Sequence, residues 1–320
     1  MLLACTLSLV LSLIAGKTCI PILKKIKAGQ MVLKYVEEHK HKNGTPTMGG
    51  LFFILSASVV FIAFGGLKGK IALMSLTIGL AFLIVGFIDD FIKIRLHQNQ
   101  GLKAYQKIIF QLGIAVVAGV FAFRNSITSF NIPFFNIAID LGVWTIPIVA
   151  VVFIAMTNSV NLTDGLDGLA GSVSAVYFVA IIALISLQTG FPASTFEKEK
   201  LLLLCATLLG SVLGFLFFNV NKAKVFMGDT GSLSLGGFLG AVSIFSSNSF
   251  FIPVIGIMFV LSSISVIVQV AYFKRTKKRV FLMSPLHHHF QLKGYTETQI
   301  AYGYTLITVI MSLISVLLCT

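Results

Sequence analysis

Long apolar runs separated by short polar loops recur along the whole chain, and no internal sequence repeat is visible. Most runs approach the ~20 residues that a helix needs to cross the hydrocarbon core of a membrane. The pattern therefore predicts an all-α polytopic membrane protein with ten transmembrane helices, of which the eighth is short and rich in glycine. The predicted helices are Leu2–Leu23, Met48–Phe64, Ile71–Ile88, Ile108–Phe123, Leu141–Val160, Leu169–Leu187, Leu201–Phe218, Ser232–Phe245, Phe250–Phe273 and Ile300–Leu318.

No polar stretch is long enough to form a separate soluble domain, so residues 1–320 are predicted to form one integral membrane domain. The composition agrees, because 57% of the residues are hydrophobic and the mean hydropathy is +0.96. One segment, Ile127–Asp140, alternates in part between apolar and polar residues around Pro133. This alternation predicts a short β-hairpin on the external surface.

The distribution of basic residues predicts the orientation of the helices. The first run has no basic residue ahead of it and is followed by Lys24, Lys25 and Lys27. A signal peptide carries its positive charge in front of its apolar segment, so we expect a retained first helix with its N-terminus outside. Ten alternating helices then place eighteen of the 24 Lys and Arg residues in inner loops and five in outer loops, which favours an N-out, C-out topology.

The formal net charge of +13 could indicate a nucleic-acid partner. The basic residues are divided among several loops at a bilayer surface, however, and attraction to anionic lipid headgroups explains such a distribution. We therefore expect membrane lipids, and no nucleic acid, as partners of these residues.

Five of the six aspartates lie where apolar runs meet short polar loops, and the predicted topology places all five on the inner side, together with all six histidines. Carboxylates are costly at the edge of a membrane and are usually functional there. Their clustering suggests a divalent cation and phosphate chemistry rather than a structural salt bridge. The five are Asp89, Asp90, Asp164, Asp167 and Asp229.

The first motif is Asp89-Asp90, which ends the third predicted helix and is followed by Lys93. Adjacent side chains on a helix point about 100° apart, so one carboxylate can face a metal or a nucleophile while the other binds a neighbouring cation. The alternative is ordinary interfacial charge at a helix end. Negative charge at a helix C-terminus opposes the macrodipole, which favours the functional interpretation.

The second motif fills the loop between the fifth and sixth predicted helices. Asn161, Asp164 and Asp167 recur at intervals of three, with glycines that permit tight turns. Such a loop can hold sugar hydroxyls, a base edge or a cation. Alternatively, Asp167 serves as the N-cap of the sixth helix.

The third motif is Gly228-Asp229-Thr230-Gly231-Ser232, directly before the eighth predicted helix. Its backbone N–H groups and hydroxyls can meet an anion, and its carboxylate is available for Mg²⁺. Phe226 lies in the same polar loop, where an aromatic ring can stack on a base. A simple helix-entry loop is the alternative for this string.

The histidines His287, His288 and His289 follow five basic residues in the last inner loop. We expect them to meet phosphates or to help place a carboxylate. A zinc site is the competing interpretation, although consecutive histidines cannot easily all ligate one ion.

Taken together, these motifs resemble those of the polyprenyl-phosphate N-acetylhexosamine-1-phosphate transferases. Within that superfamily, the string from Lys42 to Gly50 and the string from Pro285 to Phe290 are similar to the bacterial MraY branch. The resemblance implies an enzyme that converts UDP-N-acetylmuramoyl-pentapeptide and undecaprenyl phosphate into lipid I and UMP in peptidoglycan synthesis. It also implies a Mg²⁺ requirement, a homodimer, and a bacterial inner (plasma) membrane location with the active site facing the cytoplasm.

The resemblance further implies roles for individual residues. Asp229 would hold Mg²⁺, and Asp89 and Asp90 would be the acid/base pair or position the lipid phosphate. The nucleotide and sugar pocket would be lined by Asn161, Asp164, Asp167, Asn219, Phe226, Gly228 and Gln269. Phosphates would be contacted, or the site ordered, by Lys42, Thr47, Lys93, Lys107, His287, His288 and His289.

Two other classes of function share some of these features. A sister transferase that uses UDP-N-acetylglucosamine would carry the same aspartates, but the string from Pro285 to Phe290 argues against it. A secondary transporter would also place carboxylates in membrane helices, usually near the middle of the bilayer and in repeat-related positions. The aspartates of this chain crowd one predicted interface instead.

Overall fold

The structure is a computed structural model and describes residues 1–25, 44–96, 98, 100–133, 135, 137–188, 190–220 and 222–318. Within these residues the chain is mostly helical, with one small antiparallel sheet. The elements are α1 Leu2–Lys25, α2 Gly50–Ala63, α3 Lys70–Arg95, α4 Ala104–Arg124, β1 Ser129–Asn131, β2 Ala138–Asp140, α5 Thr145–Thr163, α6 Leu169–Leu187, α7 Thr195–Asn219, α8 Gly228–Phe245, α9 Ile252–Ile255, α10 Ile257–Thr276, α11 Leu286–Gln291 and α12 Glu297–Leu317.

Eight helices in the described part of the chain are long and apolar enough to cross a membrane: α1, α3, α4, α5, α6, α7, α10 and α12. Helix α2 is apolar but has only 14 residues, and α8 has 18 residues. The prediction of an all-α multi-pass membrane protein is thus confirmed at this level. Ten membrane crossings with both termini outside stay a prediction.

The ninth predicted helix differs from the structure. The run Phe250–Phe273 is divided into a 3₁₀ turn, the short helix α9 and the long helix α10. Helix α9 has a proline in its first turn and ends at Ile255. The next residue, Gly256, has φ and ψ angles of −101° and 22°, which interrupt the regular helix. A continuous apolar run does not reveal such a break, because hydropathy is the same on both sides of it.

Helix α8 lies at the centre of the bundle. Every residue from Thr230 to Phe245 is buried, and α3 and α5 pack along it. A Cβ atom on Gly236 would collide with the backbone of Thr157 on α5, so glycine is needed for this close approach. The short, glycine-rich composition of this run therefore reflects its position among other helices rather than against lipid.

The predicted hairpin is present. Strands β1 and β2 are antiparallel, with Phe130 opposite Ile139. The hairpin is held on the turn after α8, because Asn131 N donates to Ser247 O at 2.9 Å. Since Asp229 lies at the start of α8, the hairpin and the aspartate motifs lie at opposite ends of that helix. The external location of the hairpin stays a prediction from the charge count.

Candidate active site

The site is built around the N-terminus of α8, which is capped by a carboxylate from α3. Asp90 Oδ1 accepts a hydrogen bond from Asp229 N at 3.2 Å, and Asp90 Oδ2 accepts from Thr230 N at 2.9 Å and Thr230 Oγ1 at 2.7 Å. Negative charge is favourable at a helix N-terminus. The cap therefore explains how Asp90 is tolerated with only 3% of its surface exposed.

Asp89, the neighbouring carboxylate, makes the closer contacts with ammonium groups. Lys93 Nζ lies 2.6 Å from Asp89 Oδ2, and Lys107 Nζ lies 3.4 Å from Asp89 Oδ1. The Asp89 side chain also accepts from Leu102 N at 2.9 Å. The adjacent carboxylates thus differ in their nearest partners, because Asp90 binds the backbone and hydroxyl donors of α8 while Asp89 is paired with Lys93 and Lys107. Which of the two faces a metal or a nucleophile stays a prediction.

Asp229 completes the cluster from the first turn of α8. Its Oδ2 atom lies 3.1 Å from Lys93 Nζ and 2.6 Å from Lys107 Nζ. Its Oδ1 atom accepts from Asn161 Nδ2 at 2.8 Å, and Asn161 Nδ2 also donates to Ser232 Oγ at 2.9 Å. Residues from α3, α4 and α5 therefore converge on one carboxylate at the start of α8.

Asp89, Asp90 and Asp229 each offer an oxygen atom within 4.8 Å of the others, which makes them a group able to hold a metal ion. Asp89 Oδ2 is buried and accepts no hydrogen bond of ordinary geometry, although the Lys93 ammonium is close. Three carboxylates and two ammonium groups leave one formal negative charge. An all-oxygen donor set with residual negative charge suits Mg²⁺.

Asp164 is partly buried directly after α5. Burial, together with the negative charges of Asp229, Asp90 and Asp167, raises the pKa of Asp164 to about 8. Asp89, Asp90 and Asp229 thus form one cluster, and Asp164 lies close enough to Asp229, Asp90 and Asp167 to interact with their charges. A carboxyl with such a raised pKa can hold or release a proton near neutral pH.

The interpretation of Asp167 as the N-cap of the sixth helix is wrong. The cap residue of α6 is Gly168, with φ 72° and no side-chain cap, while Asp167 Oδ2 accepts from Ala223 N at 2.9 Å. Asn219 makes a second connection to the same loop: its Oδ1 accepts from Gly168 N at 3.0 Å, and its Nδ2 donates to Val225 O at 2.9 Å. Both side chains join the α5–α6 loop to the α7–α8 loop.

The segment before α2 also pairs with the α7–α8 loop. Phe226 N donates to Pro46 O at 2.8 Å, and Gly49 N donates to Phe226 O at 2.9 Å. These hydrogen bonds fix the Phe226 backbone, so its half-buried ring is not needed to hold the loop in place. Thr47 is buried in this segment, whereas Lys42 lies outside the described residues.

Gly228 lies between this segment and the Asp90 cap. Its φ angle is 72°, in the left-handed region that favours glycine. A Cβ atom here would also lie 2.6 Å from Thr47 Oγ1 and collide with the Asp90 carboxylate. Glycine is therefore required where the loop turns into α8.

The three consecutive histidines point in different directions. His287 is fully buried against Gly165 of the α5–α6 loop, and burial lowers its pKa to about 3. His288 Nδ1 is hydrogen-bonded to Gln291, and His289 Nδ1 accepts from Leu282 N. Among the described residues, the three carboxylates are the one group of metal-ligand type that comes together, so the zinc interpretation gains no support.

Gln269 of α10 does not meet the cluster in any contact the structure gives; its Oε1 atom accepts from Val280 N at 3.1 Å and Phe281 N at 2.9 Å. It supports the loop that leads to the histidines. Its predicted place in the nucleotide and sugar pocket stays a prediction.

Sequence reasoning missed Thr230 and Ser232 as partners of Asp90 and Asn161. Both lie in the string Gly228–Ser232, so the motif was found but the acceptors of its hydroxyls were not. Asp90 and Thr230 are 140 residues apart in the chain, and no local pattern reveals such a pair.

The carboxylate and lysine cluster lies at one end of an apolar helical bundle, and a family model described as Glycosyl transferase family 4 matches residues 71–247. The chain is thus a membrane transferase of that class. Phospho-N-acetylmuramoyl-pentapeptide-transferase signature 1 matches residues 42–54. The chain belongs to the phospho-N-acetylmuramoyl-pentapeptide-transferase family.

Similar proteins of that name cover nearly the whole chain. The one from Clostridium novyi (strain NT) is 42% identical over 316 residues, which is 96% of this chain and 93% of the relative. The one from Desulforamulus reducens is 42% identical and covers 98% of this chain and 94% of the relative. The one from Clostridium botulinum (strain Alaska E43 / Type E3) is 39% identical and covers 95% and 91%.

Proposed function

We propose that this protein transfers phospho-N-acetylmuramoyl-pentapeptide from its UDP-linked form to undecaprenyl phosphate, giving lipid I and UMP for peptidoglycan synthesis. The observation that carries the proposal is the convergence of Asp89, Asp229, Lys93 and Lys107 at the start of α8. A cluster of mixed charge at one end of a membrane bundle suits a reaction between a water-soluble phosphate donor and a lipid phosphate.

Mg²⁺ is the proposed cofactor, with Asp229 as its principal ligand and Asp89 as a second. When bound, it would neutralise charge on the diphosphate. Asp90 is engaged by three donors of α8 and would mainly hold Asp229 in place.

The charges of these side chains suit a direct attack of the lipid phosphate on the donor. An oxygen of the lipid phosphate forms a bond to the β-phosphorus of the donor, and the bond from that phosphorus to the bridging oxygen breaks, so that UMP leaves with this oxygen. The lipid phosphate is already largely anionic at neutral pH, so direct attack needs little help from a base. Lys93 and Lys107 would stabilise the charge that spreads over the phosphate oxygens.

The nucleotide would lie beside the α7–α8 loop, with Phe226 stacked on the uracil. The fixed backbone of Phe226 and its half-buried ring support this role. Asn161, Asp164, Asp167 and Asn219 would border the same pocket.

The proposal includes a location and an assembly. The excess of basic residues in the predicted inner loops supports an active site on the cytoplasmic face of the bacterial plasma membrane. A homodimer is proposed from the family alone. A sister activity with UDP-N-acetylglucosamine is the alternative.

The test is to incubate purified protein with a polyprenyl phosphate, Mg²⁺ and each UDP-sugar in turn, and to follow UMP release. We expect release with UDP-N-acetylmuramoyl-pentapeptide, and none without the lipid phosphate. Release with UDP-N-acetylglucosamine alone would replace the proposed function by the sister activity.

A further inference from the structure

A polar pair joins α4 to α5 one helical turn behind the charged cluster. Gln111 Oε1 accepts a hydrogen bond from Asn158 Nδ2 at 2.8 Å. Gln111 is completely buried, and Asn158 is half-buried. Neither side chain is needed by the proposed reaction.

The spacing of this pair relates it to the site. Gln111 follows Lys107 by four residues on α4, and Asn158 precedes Asn161 by three on α5, so each shares a helix face with a residue of the cluster. Lys107 contacts Oδ2 of Asp229 and Asn161 contacts Oδ1. The pair thus connects the two helices that hold Asp229 by its two oxygens.

The orientation of the two amides follows from their partners. Asn158 Nδ2 also donates to Ile154 O at 2.7 Å. A carbonyl only accepts, so this Asn158 atom is the nitrogen, and the Gln111 atom that faces it is the oxygen. Gln111 Nε2 consequently points away and has no hydrogen-bond partner in the described part of the chain.

An unpaired buried amide donor costs about 1–3 kcal/mol, so this pair is a poor device for stability alone. Apolar residues of similar shape would pack α4 on α5 without that cost. The directional bond does, however, fix how the two helices are rotated and shifted along each other.

We propose that Gln111 and Asn158 are positioning residues, which fix α4 against α5 so that Lys107 and Asn161 meet the two oxygens of Asp229. This inference rests on the proposed function, because it gives the pair a part in that reaction. Neither residue touches the reacting atoms, and both act through Lys107 and Asn161.

The first test replaces the acceptor and keeps its volume, as Gln111→Met. We expect kcat for UMP release to fall about tenfold, since small misplacements of a site have effects of this size, while KM for the donor changes less than twofold. Asn158→Ala removes the donor from the other helix and should give the same pattern. It serves as the test if Gln111→Met folds poorly.

The matched control is Tyr177→Phe. Tyr177 OH and Ser243 Oγ are 2.7 Å apart and fully buried, but they lie toward the other end of α8. Loss of this bond should lower the thermal unfolding temperature at least as much as Gln111→Met does, with kcat within twofold of the unchanged protein. Equal losses of kcat in both variants would overturn the inference, because the effect would then follow stability.

A second readout is the coupling to Asn161. If Gln111 acts in part through Asn161, Gln111→Met should lower kcat by clearly less in an Asn161→Ala background than in the unchanged protein. Two losses that simply multiply would overturn the inference. If the unchanged protein releases UMP and Gln111→Met is equally active, the inference is overturned and the proposed function stands. If the unchanged protein releases no UMP, the proposed function is overturned and the inference with it.

Discussion

In the described part of the chain, two helices have N-termini capped by a carboxylate from a neighbouring helix. Glu197 of α7 accepts from Lys70 N and Ile71 N of α3, both at 2.9 Å. Asp90 of α3 accepts from Asp229 N and Thr230 N of α8 at 3.2 and 2.9 Å. Both arrangements satisfy free N–H groups and place negative charge at the positive end of a helix.

The surroundings of the two carboxylates differ. Glu197 is half-buried beside the exposed Lys70. Asp90 is 3% exposed and lies among two further carboxylates and an ammonium group, with Lys93 Nζ 3.8 Å from its Oδ1. The same kind of cap therefore stabilises a helix end in one place and, in the other, lies within a group of carboxylates able to hold a cation. The extra charges, rather than the cap, distinguish the site.

The largest effect expected from this comparison is that of Asp90→Asn. The amide places an N–H₂ group against backbone donors of α8, so the free energy of unfolding should fall by about 1.5–3 kcal/mol. Because Asp229 is in the first turn of α8, UMP release should also fall about a hundredfold. Denaturant unfolding and turnover check both, and a fully active variant would mean that the cap does not position Asp229.

Phe226→Ala tests whether the functional role assigned to the surroundings of the Asp90 cap includes the loop that precedes α8. The Phe226 backbone is fixed by Pro46 and Gly49, so the loop should keep its shape. Loss of base stacking should weaken donor binding by about 1–3 kcal/mol. Calorimetry with the UDP-linked donor measures this. Unchanged affinity would mean that the ring only packs the loop.

Asp164→Asn tests how the carboxylates near the Asp90 cap depend on pH. Burial raises the pKa of Asp164 to about 8 in the folded protein from an ordinary value of 3.8. The folded state therefore holds this proton more tightly, and its contribution to stability is present below the unfolded pKa and is lost as pH rises through the folded pKa. With metal ions removed by a chelator, the unchanged protein should lose stability between pH 4 and 8 relative to Asp164→Asn.

Thermal unfolding of both proteins across that range is the measurement. Parallel curves would show that Asp164 ionises normally. The Glu197 cap is the comparison point, because no cluster of three metal-ligand side chains surrounds it among the described residues.

Glu197→Gln should have the smallest effect. Glutamine keeps one acceptor oxygen for Lys70 N or Ile71 N, so stability should fall by about 0.5–1 kcal/mol. Turnover should stay within twofold of the unchanged protein. A large loss of turnover would erase the distinction between the two caps, since position in the bundle would then matter less than helix capping itself.

Much of the fold was predictable because it depends on local pattern. The apolar runs predicted ten helical segments, one of them with the observed bounds Leu169–Leu187, and the alternation around Pro133 predicted the hairpin. The location of the aspartates at the ends of apolar runs predicted that they cluster on one side, and the structure brings Asp89, Asp90 and Asp229 together. The break at Gly256 was not predictable, because apolar residues continue on both sides of it.

The partners within the site were less predictable, since they depend on long-range packing. The motif Gly228–Ser232 indicated a helix start, but nothing in it identifies a carboxylate on α3 as the cap. Asp167 has the residue type of an N-cap but instead binds Ala223 N across the loop. Gln111 lies in an apolar run with no motif, so its contact with Asn158 emerges only from the structure.

The central claim is that Asp229 holds the catalytic cation in a cluster that Asp90 only positions. Titration of Mg²⁺ against turnover and binding in Asp229→Asn, Asp89→Asn, Asp90→Asn and Asp164→Asn tests it directly. We predict that Asp229→Asn needs the most Mg²⁺ and loses at least about a hundredfold in turnover, the scale of several kcal/mol of lost charge stabilisation. An Asp229→Asn protein with unchanged Mg²⁺ dependence, beside another variant that loses it, would contradict the account.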